Sequence, residues 1–113
     1  MEAEKRKDPR VPSYAKAVLL DGQVPGYIRD LSVSGCQVAF LQPLRAGVGD
    51  VLTVRVIAEH DPSILPFRIR LRVRRLIEDP PWHSVGAQIE APLDASEEQS
   101  FEKLVSYYSG AGA

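Results

Sequence analysis

The sequence predicts an all-β domain of about six short strands, completed by one C-terminal amphipathic helix. Three observations predict it. First, Phe67, Ile69, Leu71 and Val73 alternate with Arg68, Arg70, Arg72 and Arg74. A period of two puts the two sets on opposite faces of a half-buried antiparallel strand. Second, turn chemistry recurs between short apolar runs, at Asp21-Gly22, at Asp30 to Gly35, through the Pro- and Gly-bearing stretch Pro43 to Asp50, and at Pro80-Pro81. Third, the period changes near the end. Phe101, Leu104, Val105 and Tyr108 fall at i, i+3, i+4 and i+7, one face of a helix.

The elements follow in order. Residues 1–12 are charged, and Pro9 and Pro12 discourage a continuous helix, so this stretch reads as a flexible, arginine-rich arm. The domain is expected over residues 13–110. Strands are expected at Tyr14 to Leu20, Gly26 to Asp30, Gly35 to Leu41, Val51 to Ala58, Phe67 to Leu76 and Trp82 to Glu90. In the third, Cys36, Val38 and Phe40 share one side. The helix is expected at about 95–109, with Asp94 and Glu97 as its start signal and Gly110 as its stop. Spacing of this kind suits a small barrel or sandwich, with the helix burying its apolar face against it and plugging one end.

Composition narrows the function classes. The chain has 113 residues, room for one modest core. Its 14 basic and 15 acidic residues leave a formal net charge of -1, against a surface that attracts nucleic acid or anionic lipid throughout. A single cysteine, Cys36, allows no intramolecular disulfide and no thiolate metal cluster. No apolar run approaches membrane-spanning length, and the N-terminus is not that of a secretory signal, so a reducing cytoplasmic setting is expected. His60 and His83 have no recognisable nucleophile partner. Cys36 is expected to face inward as an inert thiol. The chain therefore reads as neither an enzyme nor a metalloprotein, and no cofactor is expected.

Two segments carry the binding chemistry. Arg6 and Arg10 stand four apart in the arm, flanked by Lys5 and Lys7. Alone this is a solvated charged tail, and the same spacing recurs at Arg68 with Arg72 and at Arg70 with Arg74. Asp30-Leu31-Ser32-Val33-Ser34-Gly35, alone, is a turn in which Asp and Ser bond nearby backbone and Gly takes a positive φ. Together they are more specific. Arg-x-x-x-Arg in an arm, then a strand, then Asp-x-Ser-x-x-Gly about twenty residues on, resembles the PilZ domain family. Gly86 in Val85-Gly86-Ala87-Gln88-Ile89 resembles the glycine on a late strand of that family.

The resemblance implies a six-stranded antiparallel β-barrel with a C-terminal helix and cyclic di-GMP as ligand. Arginine presents a planar fork of donors that fits phosphate, or guanine O6 and N7, bidentately. An ionised aspartate only accepts, and so suits the N–H edge of guanine. Arg6 and Arg10 are thus expected to grip guanine and phosphate, and Asp30 to read the guanine edge. Ser32 is expected to bond phosphate or brace the loop, and Gly35 to allow close approach. Lys5 precedes the first arginine, where the family resemblance implies an influence on whether one ligand or a stacked pair binds. Trp82 is expected either to stack on guanine or to fill the barrel rim. Closing of the arm would create a surface for a separate effector protein, or change self-association between monomer and dimer. Two rivals remain: a PilZ-like adaptor without ligand, and a single-stranded nucleic-acid binder using Arg68, Arg70, Arg72, Arg74 and Arg75. That stripe lacks interleaved aromatics, and reads as a solvated strand face guarding against edge pairing.

Overall fold

The computed structural model describes residues 14–92 and 94–110. Its strands are β1 (Lys16–Leu19), β2 (Val24–Leu31), β3 (Gly35–Phe40), β4 (Val51–Ile57), β5 (Phe67–Asp79) and β6 (Trp82–Pro92), followed by helix α1 (Ala95–Ser109). All six strands pair antiparallel and close into a barrel in the order β1-β2-β3-β6-β5-β4.

Alternation builds the wall. Val54 and Val56 of β4, Phe67, Ile69, Leu71 and Val73 of β5, and Val38 and Phe40 of β3 all point inward and are buried. Cys36 shares that side, as its strand position predicts, and desolvation pushes its thiol up to about 12. α1 packs its Phe101 and Leu104 into the same core, and the Phe101 ring meets Phe67 edge-on at 6.3 Å. Both helix ends are capped as the sequence predicts. The Asp94 carboxylate accepts from Glu97 N–H at 3.0 Å, and Gly110 takes a left-handed conformation. Near the last turn, the Tyr108 hydroxyl accepts from Ala15 N–H at 2.9 Å and donates to the Ile28 carbonyl. One side chain so ties α1 to the start of β1 and the middle of β2.

Three expectations need correction. β2 begins at Val24 rather than Gly26, with Pro25 inside it. Pro25 lacks an N–H, but its carbonyl accepts from Leu41 N–H at 3.0 Å, so it keeps one ladder bond. β5 runs three residues beyond Leu76 to Asp79, because a register shift between Val73 and Arg75 restarts the pairing in a new phase. Arg68, Arg70 and Arg72 of the β5 stripe guard no edge, for β4 pairs with Phe67 to Arg72 on one side and β6 flanks the other. The stripe's arginines instead meet neighbours: Arg68 binds Glu97 of α1 at 3.1 Å, Arg72 binds Glu90 at 3.0 Å, and Arg74 donates to Gln88.

Candidate functional site

Asp30 to Gly35 forms the end of β2 and its connection to β3. Leu31 and Cys36 make the last strand pair. Beyond it, Ser32 N–H donates to the Gly35 carbonyl at 2.9 Å, while the Ser32 hydroxyl bonds both the Gly35 carbonyl and the Gly35 N–H at 3.2 Å. Of the two roles expected for Ser32, bracing the loop is the one seen. The Ser34 carbonyl accepts from Ile89 N–H at 2.9 Å, which anchors the loop on β6. Gly35 is not among the glycines of positive φ, contrary to the turn reading. Its reason is close approach instead: a Cβ there would lie 3.2 Å from the Ala87 carbonyl oxygen.

A bulge shapes the strand just before the loop. Ile28 and Leu31 both face the core although three residues apart, and the register shifts between Ile28 and Asp30. Arg29 and Asp30 are therefore both turned to the outer face. Asp30 is exposed, and its side chain makes no hydrogen bond or ion pair with another described residue. The Arg29 guanidinium lies over two rings, 5.9 Å from the centre of Tyr14 and 5.3 Å from that of Trp82. Tyr27 meets Trp82 edge-on at 6.3 Å. Ala39, the strand partner of Tyr27, is fully buried yet lies outside the core cluster.

The bulge in β5 does the same for a second arginine. Arg75 stands opposite Gly86, and a Cβ on Gly86 would lie 2.8 Å from Arg75 Nε. The bare glycine is what lets Arg75 lie flat across β6. Asp30, Gln37, Gly86 and Arg75 are successive partners on β2, β3, β6 and β5. At about 4.8 Å per strand the row is roughly 14 Å wide. An acid and an arginine thus flank a floor with one glycine, on the scale of a cyclic dinucleotide.

Asp30 and Gly86 are brought into one row. Ser32 and Gly35 brace its end. Trp82 is four residues from Gly86 on an extended strand, about 13 Å away along it, and joins the face through Arg29. Trp82 also borders a cleft of about 400 Å³ at the β5–β6 turn, with Leu44, Ala46, Leu76 and His83. That cleft and the Asp30 row do not coincide. Lys5, Arg6 and Arg10 lie outside the described residues. The described chain begins at Tyr14, whose ring lies against Arg29 on this same face.

Sequence reasoning missed Tyr14, Tyr27 and Arg29, and placed Arg75 only in the basic stripe. The signal was a stumble in the alternation: two polar residues in succession at Arg29-Asp30, and again at Arg74-Arg75. The other polar candidates are apart from this face. His60 stacks on Tyr107 at 3.9 Å, His83 is exposed, and among the described residues no group of His, Cys, Asp and Glu suits a metal ion. No helix among them is long and apolar enough to cross a membrane.

The described residues form a small closed barrel with a C-terminal helix, and its outer face carries arginine, aspartate and aromatic rings. The chain matches the PilZ domain over residues 4–107, and it belongs to that family of cyclic di-GMP receptor domains. The matched stretch includes Arg6 and Arg10 as well as the Asp30 loop and most of α1. No curated protein and no solved structure gives a significant match.

Proposed function

We propose that this chain binds cyclic di-GMP on the outer face of β2, β3, β6 and β5, and passes the signal to a separate protein. The observation that carries the reading is the Asp30–Gln37–Gly86–Arg75 row, with Tyr14 and Arg29 beside it. Residues 1–12 act as the arm and residues 13–110 as the barrel domain that receives it. Arg6 and Arg10 close over the ligand from the arm, Asp30 accepts from a guanine N–H edge, and the braced Ser32–Gly35 loop keeps Asp30 in place. Lys5 adds attraction for phosphate and bears on whether one ligand or a stacked pair is held. The closed arm is a new surface, which a cytoplasmic effector or a second copy of the chain then reads.

Titration calorimetry with cyclic di-GMP tests this. The unmodified chain is expected to bind, with a ligand count of one or two. Arg10→Ala and Asp30→Ala are each expected to cost about 2–3 kcal/mol, because a charge-assisted bond is lost and its mate is stranded. Affinity like that of the unmodified chain in both variants refutes the site.

A further inference from the structure

Arg29 combines three properties. It is the extra residue of the β2 bulge, so Asp30 after it joins it on the outer face instead of pointing inward as strict alternation from Ile28 would have it. Its guanidinium is held over Tyr14 and Trp82, which restricts its rotamers before any ligand arrives. Its donors form no hydrogen bond or ion pair with another described residue, and no bond joins it to Asp30 next door. A half-buried arginine with oriented, unspent donors, beside a carboxylate with unspent acceptors, is a matched pair awaiting a third group.

Resting on the receptor reading above, we propose that Arg29 is a specificity-determining contact of the ligand site. It donates to O6 and N7 of the guanine whose N–H edge Asp30 accepts. Guanine presents acceptors on one edge and donors on the other, so the doublet reads both. Adenine replaces the O6 acceptor with an N6 amino donor. That donor opposes a guanidinium, so the doublet rejects adenine. The ring contacts hold the guanidinium off Asp30; without them the two charges would neutralise each other and read nothing.

The test is titration of the full chain and its Arg29→Ala and Arg29→Lys variants with cyclic di-GMP and, separately, cyclic di-AMP. Thermal melts verify folding. Arg29→Ala is expected to lose about tenfold or more in affinity for cyclic di-GMP. Its preference over cyclic di-AMP is expected to shrink in step. Arg29→Lys keeps the charge but not the planar fork, and is expected not to restore the preference. Trp82 is the only tryptophan, so its emission should shift in Arg29→Ala before ligand is added. If both variants bind cyclic di-GMP within about twofold of the unmodified chain and keep its preference, while Asp30→Ala does not bind, the role of Arg29 is overturned and the receptor reading stands. If the unmodified chain binds no cyclic di-GMP, both fall.

Discussion

The arginines of β5 before its bulge and those set out by the two bulges are chemically the same group in opposite circumstances. Before the bulge, Arg68 and Arg72 are matched to Glu97 and Glu90. Arg72 also donates to the Gly49 carbonyl, and Arg74, the extra bulge residue, is spent on Gln88. Arg29 and Arg75, by contrast, lie over rings and over a bare glycine. No described carboxylate takes their donors. A count of arginines would rank the stripe first as a binding surface. Their partners reverse that order: what a guanidinium can do for a ligand is set by what its neighbours have left unspent.

Gly86→Val is the sharpest way to break this comparison. The new side chain would take the space of the Arg75 stem, and that stem is flexible enough to move away. A β-branched residue suits a strand, so the melting temperature is expected to stay close to that of the unmodified chain. Affinity for cyclic di-GMP is expected to fall about tenfold or more, from loss of Arg75 and obstruction of the floor. Arg75→Ala removes the donors without filling the floor, and is expected to lose somewhat less, about tenfold. Calorimetry on both variants measures the difference. Equal, unmodified affinities would show that the row across β2, β3, β6 and β5 is not where ligand sits.

Much of the fold was legible because its cause is local. The alternation from Phe67 to Val73 and the caps Asp94 and Gly110 each depend on a few neighbouring residues. Barrel closure is not local. Nothing in Phe67 to Leu76 says that β4 takes one edge of Phe67 to Arg72 and β6 the other, which leaves Arg68, Arg70 and Arg72 no edge to guard. The candidate site divides the same way. Asp30, Ser32 and Gly35 are near neighbours and were legible as a loop, although Gly35 owes its place to a carbonyl on β6 rather than to its own φ. Arg29 and Arg75 owe theirs to bulges, which exist only as a mismatch between two paired strands. A doubled polar residue hints at such a bulge, but the partner strand decides where the side chain goes.

The paired arginines make the converse prediction, with a smaller effect. Arg68→Ala removes an ion pair that is partly open to water, so about 0.5–1 kcal/mol of stability is expected to go. Arg72→Ala is expected to do no more, since its pair with Glu90 is also partly exposed. Neither change is expected to alter affinity for cyclic di-GMP. Denaturant unfolding gives the first quantity and calorimetry the second. A large loss of binding in either variant would move the ligand from the Asp30 row onto the stripe.

The smallest expected effect is none at all, and it probes the two sides of a single strand. Cys36 precedes Gln37 of the Asp30 row, but it faces the core, where burial and then the nearby charge of Asp30 push its thiol up to about 12. The reactive species is the thiolate, and an unperturbed thiol ionises near 8.5. At pH 8 a large share of unfolded chains is therefore ready to react, while the folded thiol stays protonated and covered. A thiol-specific reagent at that pH is expected to leave the native chain unlabelled and to label it fully in denaturant. Saturating cyclic di-GMP should change neither result, because the proposed site is on the other side of β3. Rapid labelling of the native chain would place Cys36 outside the core and, with it, reverse the assignment of which face of β3 meets the ligand.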